Sequence, residues 1–146
     1  MTYTELEEYF IAIALEDPEI KSTEIVEDWS DIMAMQMSRE LYPCLVIEIH
    51  QVKGDTESAA VEYIVQGAYA VITGLPTDAS KAERRKALRD NLAAITRIHQ
   101  RITCDADAEG IFGADLKIQF DPIKKATADN AYGQRGYYSI SEITKD

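Results

Sequence analysis

Pro43-Cys44-Leu45-Val46-Ile47-Glu48-Ile49-His50-Gln51-Val52, followed by Lys53-Gly54-Asp55-Thr56-Glu57-Ser58, is the stretch on which the fold turns. Leu45, Ile47 and Ile49 alternate with Val46, Glu48, His50 and Val52. That period of two sends successive side chains to opposite faces of a strand, and predicts one over residues 44–52. Pro43 bounds the run, and the polar residues after it have turn chemistry. Residues 60–73 resume the pattern, with Val61, Tyr63, Val65, Tyr69 and Val71 on one face and Gly67 marking a bulge or bend. Two strands joined by a short polar loop read as an antiparallel hairpin.

Downstream of the hairpin, Pro76-Thr77-Asp78 closes the second strand and residues 80–103 read as a helix. Ser80 and Glu83 fit a capping box. Leu88, Leu92, Ile95, Ile98 (or His99) and Ile102 form the expected buried stripe. Lys81, Arg84, Arg85, Lys86, Arg89, Arg97 and Arg101 are expected on the wet face. Residues 115–121 read as a third strand, with Leu116, Ile118 and Phe120 alternating against Lys117, Gln119 and Asp121. Residues 136–143 read as a fourth, and Lys124 to Arg135 as a long polar loop between them.

Upstream, residues 4–15 read as an amphipathic helix with Leu6, Tyr9, Phe10, Ile13 and Ala14 on its apolar side. Thr2 with Glu5, or Thr4 with Glu7, supplies a capping box. Residues 19–41 fit two periods: Ile25, Trp29, Ile32 and Met33 suit a helix, while Met33, Met35 and Met37 suit a strand. A short helix or an irregular crossover is expected there, with the methionines filling core or interface gaps. Residues 1–146 thus read as a single α+β domain. Its core is one antiparallel or mixed sheet of four or more strands, with helices packed on one face.

Composition fits a globular domain: of 146 residues, 46% are hydrophobic and 28% charged. Met1 to Glu5 is acidic and polar rather than a secretory leader, so Cys44 and Cys104 are expected as reduced thiols of a cytoplasmic protein. No apolar run approaches the ~20 residues that cross a bilayer. The formal net charge of −11 is uneven. Residues 1–62 hold 15 acids and 3 bases, whereas residues 63–146 hold 11 acids and 12 bases. An acidic chain repels nucleic-acid phosphates unless its bases cluster. The basic helix face suits an acidic partner or RNA, or is simply solvated; no specific nucleic-acid binding is expected.

Residues for chemistry are few. Asp105-Ala106-Asp107-Ala108-Glu109-Gly110 imitates the start of a calcium loop, but position twelve is Leu116 rather than the bidentate glutamate. A solvated acidic loop ending the helix is expected there. His50 and His99 are the only histidines. Cys44 and His50 sit ~20 Å apart along a strand at ~3.3 Å per residue, too far for a nucleophile and its base. Glu7 and Glu8 are ordinary surface carboxylates. No phosphate-binding, dinucleotide-binding or zinc-ligand motif occurs. We expect no catalytic residue, no metal site and no required cofactor.

The element order resembles that of small phage tail terminator and tail-completion (head–tail joining) proteins. So does Asn130-Ala131-Tyr132-Gly133-Gln134-Arg135-Gly136-Tyr137-Tyr138-Ser139-Ile140, a polar Gly/Arg stretch feeding an aromatic last strand. The N-terminal helix, the Pro43 to Glu48 strand start and the capped central helix match the same layout. Residues 29–41 have no counterpart in it. The resemblance implies a non-enzymatic virion protein, encoded by a phage or prophage, found in the host cytoplasm and then in the virion. Such a protein is a homo-oligomeric ring at the end of the tail tube, meeting tube and connector proteins. The alternative is a small cytosolic ligand-binding or regulatory module, able to dimerise, with a pocket on the sheet. An enzyme ranks third.

Overall fold

In the computed structural model the described residues are 2–28, 30–31, 37–55, 62–109, 120–124 and 130–144. Helix α1 spans Tyr3–Glu16 and opens on a capping box: Thr2 Oγ1 accepts from the Glu5 N–H at 3.1 Å, and the Thr2 N–H donates to Glu5 Oε2 at 2.8 Å. Of the two boxes the sequence offers, the first is the one formed. Strands β1 (Ser22–Val26), β2 (Cys44–Asp55) and β3 (Glu62–Gly74) follow, then helix α2 (Lys81–Glu109) and strands β4 (Asp121–Lys124) and β5 (Ala131–Thr144). The strands form one mixed sheet in the order β1-β2-β3-β5-β4, with β1 parallel to β2 and the other pairs antiparallel. The α+β class and the hairpin are as expected.

Both helices sit over the same side of the sheet. Leu6, Phe10, Ile13 and Ala14 of α1 and Ala94, Ile95, Ile98 and Ile102 of α2 meet Leu45, Ile47, Val65, Tyr69, Val71 and Tyr138 in one cluster. The opposite face is apolar as well. There Cys44, Val46, Ala70, Ile72, Ile123 and Ala131 pack with Val26, Tyr42 and Met37. Burial on both faces explains why β2 is apolar at odd and even positions alike.

Gly67 lies beside the one irregularity in the β2–β3 ladder, where the register slips between Ile49 and Gln51. A Cβ there would lie 2.0 Å from the Glu48 carbonyl oxygen and 2.5 Å from the Tyr138 hydroxyl. The empty space lets Tyr138 reach across β3 and donate to the Glu48 carbonyl at 2.9 Å. Tyr69, paired with Gly136, uses the same device to bring its hydroxyl 2.6 Å from His99 Nδ1.

Four expectations are corrected. Within residues 19–41 the chain forms edge strand β1, which the expectation lacked, and a 3-10 turn at Arg39–Leu41; Ser30 and Asp31 are helical, in keeping with the expected short helix, and residues 29 and 32–36 lie outside the described residues. The β-branched Thr23, Ile25 and Val26 suit a strand, but too few residues of Ser22–Val26 are buried for the period to show. Second, the central helix continues past residue 103 to Glu109, so Asp105–Glu109 is its last turns and not a loop. Third, the expected strand 115–121 can be compared only at residues 120 and 121, residues 115–119 lying outside the described residues: Asp121 opens β4, and Phe120 packs on the core outside any strand. Fourth, six of the seven described residues of the expected loop 124–135 are strand, residues 125–129 lying outside the described residues. Lys124 ends β4 and β5 begins at Ala131, because Ala131 and Gln134 are buried and Arg135 pairs with buried Glu48.

The buried stripe of α2 also differs at one position. Leu92 is 42% exposed, and Asn91 is fully buried in its place. Asn91 Nδ2 donates to the Tyr132 carbonyl at 2.9 Å and to Thr73 Oγ1 at 3.1 Å, and Thr73 donates back to Asn91 Oδ1. A satisfied amide loses little by burial. Ile95→Asp, at a position with no exposure, is expected to cost about 4 kcal/mol in urea unfolding, since it buries an unpaired charge. Leu92→Asp is expected to cost under ~1 kcal/mol. Equal losses would contradict this orientation of α2.

Candidate functional site

Five of the seven bases of α2 fall into two groups by what they touch. Arg97 and Arg101, near the middle of the helix, clamp it to the end of α1. Arg97 Nε and Nη2 donate to the two Asp17 oxygens at 2.9 and 3.1 Å and reach Glu19 at 3.3 Å. Burial raises the Asp17 pKa, but Arg97 and the backbone N–H groups of Glu19 and Ile20 outweigh it and hold the carboxyl below its ordinary value. Arg101 pairs with Glu16 and with Asp105, which also accepts from the Tyr9 hydroxyl at 2.8 Å. Lys86 pairs with Asp90.

Lys81, Arg84 and Arg85 in the first turns have a different setting. With Leu88 they fall at i, i+3, i+4 and i+7, one face of the helix. Further along, the continuation of that face enters the core at Asn91, Ile95, Ile98 and Ile102. At the start it overhangs the β4–β5 edge of the sheet. There it forms a groove of about 510 Å³ with Lys124 of β4 and Tyr132 of β5, which are register partners. Leu88 and Tyr132 supply an apolar floor. The four bases supply the walls, and no acid lines the groove among the described residues. Arg84 is held in place by donating to the Ala79 carbonyl at 2.7 Å. Lys81, Arg85 and Lys124 are exposed and carry no ion pair among the described residues. The positive end of the α2 dipole adds to their potential.

The far edge of the sheet has the opposite sign. Between α1 and β1 runs a seam with two hollows. One, of about 460 Å³, is lined by Glu7, Glu27 and Asp28 beside Tyr3, Ile25, Val26 and Ile49, with no base among the described residues. The other, of about 230 Å³, lies at the opposite end of the seam, against Ile11, Leu15 and Ile20, with Lys21 as its one charged lining residue, so the negative sign belongs to the first hollow. The two edges are separated by the width of a five-stranded sheet, ~19 Å between the outer strands at ~4.8 Å spacing. At physiological salt, charges ~8 Å apart or more are screened, so each edge acts with its own local sign.

Neither protein-family models nor curated proteins match the chain. The remaining residues singled out in the sequence are scattered. Cys44 is buried on the face away from the helices, and burial pushes its thiol up to about 11. Cys104 is exposed on α2. His99 is buried against Tyr69 and meets Phe120 edge-on, and its burial lowers its pKa. His50 falls at the β2 register slip. Asp105 is held by Arg101 and Tyr9; Gly110 and Leu116 lie outside the described residues. Among the described residues no three His, Cys, Asp or Glu gather as metal ligands, and no helix is long and apolar enough to cross a membrane.

The sequence reading missed the groove as a site, although the i, i+3, i+4, i+7 spacing of Lys81, Arg84, Arg85 and Leu88 was a signal for it. The contribution of Lys124 has no local signal, because it depends on where β4 docks.

Proposed function

We propose that this chain is a structural subunit that assembles head to tail into a homo-oligomeric ring. In this reading it is a phage or prophage component of the tail terminator or tail-completion kind, placed at the end of the tail tube or at the head–tail junction. One observation carries the proposal: the two edges of a single sheet bear opposite charge, four bases at one and three acids at the other. Repeated head to tail, such a subunit sets bases against acids at every joint, and a heterologous joint closes into a ring when its rotation permits. The joint is made by side chains rather than by extending the sheet. β4 carries Pro122, which has no N–H to offer and suits an edge that does not pair further. The acidic balance elsewhere discourages DNA from adhering as it passes.

The test is imaging of particles assembled without the gene. Tails of aberrant length, or tails that fail to join heads, are the expected result. Normal tails that join heads and infect would refute the assignment to the tail.

A further inference from the structure

At the β4–β5 edge a nearly buried hydroxyl stands among four bases, and the chain uses little of what these groups can donate. Tyr132 pairs in register with Thr73, whose side chain bonds Asn91 of α2. The Tyr132 ring therefore lies on the helix side of the sheet, where it lines the groove. It is 4% exposed, and its hydroxyl has no hydrogen-bond partner among the described residues. A tyrosine buried to that degree ordinarily finds one. Lys81, Arg84, Arg85 and Lys124 surround it, and none of them has an ion pair among the described residues. The chain has 26 acids to 15 bases, yet no acid lines the groove among the described residues. Like charges gathered round one hollow repel, and an anion between them relieves the repulsion. We propose that the groove binds a compact polyphosphate anion, a di- or triphosphate that is free or forms the head of an organic ester.

The chemistry of the lining selects that ligand. Guanidinium and ammonium groups only donate, and phosphoryl oxygens only accept. Two arginine forks suit the paired oxygens of a phosphoryl group, two lysines neutralise further charge, and the Tyr132 hydroxyl donates from the floor. The Arg84 fork is oriented in advance by its bond to the Ala79 carbonyl. A phosphoryl group carries more charge than a carboxylate and has a third acceptor oxygen. The volume of about 510 Å³ falls within the ~300–1,000 Å³ of small-molecule sites. A nucleic-acid strand offers the same oxygens, but it would run on past the groove along a chain of net charge −11 and be repelled there. The site rests on the groove alone. Only its consequence for assembly rests on the head-to-tail reading: the anion and the next copy's acidic seam need the same bases, so each excludes the other.

The test is calorimetric titration of the full chain at low salt with tripolyphosphate, adenosine triphosphate, citrate and a single-stranded oligonucleotide. Tripolyphosphate should saturate a single site with a Kd of roughly 100 µM or below, and citrate should bind about tenfold more weakly or worse. Adenosine triphosphate matching tripolyphosphate would mean that the phosphates alone are read; tighter binding would add an organic part resting on Leu88. Citrate as tight as tripolyphosphate, or the oligonucleotide tighter than it, would overturn the proposal. Arg85→Glu should weaken tripolyphosphate about tenfold or more, and Lys86→Glu less than about threefold. The two change the charge equally, but Lys86 lies outside the groove lining and pairs with Asp90. Equal losses would reduce the effect to general repulsion and overturn the site. Tyr132→Phe should keep the parent's melting temperature and bind roughly threefold more weakly or worse; unchanged binding would place the anion outside the groove and overturn the site. Sedimentation separates this from the head-to-tail reading. Tripolyphosphate should dissociate the parent chain more than sodium chloride of equal ionic strength does. Saturable binding with association unchanged would leave the anion site standing and remove the groove from the joint. Association of the parent with no tripolyphosphate binding would overturn the anion site and leave the head-to-tail reading intact.

Discussion

Lys81→Glu combined with Arg85→Glu is expected to weaken association between copies by ~100-fold or more while leaving the fold intact. Each exposed base that faces an acid across a joint contributes ~1 kcal/mol, and reversing its sign turns that attraction into a repulsion of similar size. Two reversals therefore amount to ~3–4 kcal/mol, or two to three decades in the dissociation constant. The melting temperature should hold, because neither base carries an ion pair within the chain among the described residues. Arg97→Glu should behave differently. It places a second negative charge on Asp17, whose side chain is 6% exposed, and so damages the α1–α2 clamp itself. Sedimentation velocity at low salt, with a thermal melt on each sample, separates the two cases. Association that survives the groove reversal would contradict an electrostatic joint at that edge.

A large loss of stability is expected from Gly67→Ala. The added methyl would lie 2.0 Å from the Glu48 carbonyl oxygen, which belongs to the backbone of β2. Relief requires either that the β2–β3 ladder shift where it already slips, or that β3 twist away. Tyr138 must move in either case, because its hydroxyl is 2.5 Å from the same point, and it then loses its hydrogen bond to Glu48. Overpacking of this kind costs about 3 kcal/mol, and the melting temperature should fall by on the order of 10 °C. Tyr138→Phe removes only the hydrogen bond and should cost ~1 kcal/mol. The comparison separates the steric role of Gly67 from the bond it makes possible. Equal melting temperatures for Gly67→Ala and the parent would contradict the close approach of Tyr138 over β3.

Elements whose pattern repeats over many residues were legible in the sequence; those defined by contacts remote in the chain were not. β2, β3 and α2 declare themselves because one face of each is continuously apolar. The bend at Gly67 was visible as a glycine in a strand of large residues, though the slip it accompanies sits on the neighbouring strand. β1 escaped notice because it is five residues long and lies at an edge. Asp105 to Glu109 reads as a loop by charge. It is helical because alanines favour helix and because Arg101 and Tyr9 fix Asp105. Asn91 and Leu92 were exchanged in the reading because polarity alone ranks leucine inward. Thr73 and the Tyr132 carbonyl, both far away in sequence, reverse that ranking. The candidate site was half legible. Seven bases on one helix were plain, but the division of five of them into an internal clamp and an open groove depends on where α1 and β4 dock. The polar loop expected at 124–135 lends no support to oligomer formation, since most of its described residues are strand.

The central claim is that one copy's basic groove meets the next copy's acidic seam. It is tested most directly by mixing two chains that are each unable to self-associate. One carries Lys81→Glu and Arg85→Glu; the other carries Glu7→Lys and Glu27→Lys. The measurement is the sedimentation coefficient of each chain alone and of the equimolar mixture at low salt. Monomers from each chain alone and oligomers from the mixture are predicted, since the intact acidic seam of the first chain then faces the intact basic groove of the second. A mixture that sediments as its separate monomers, under conditions where the parent chain associates, would contradict the claim.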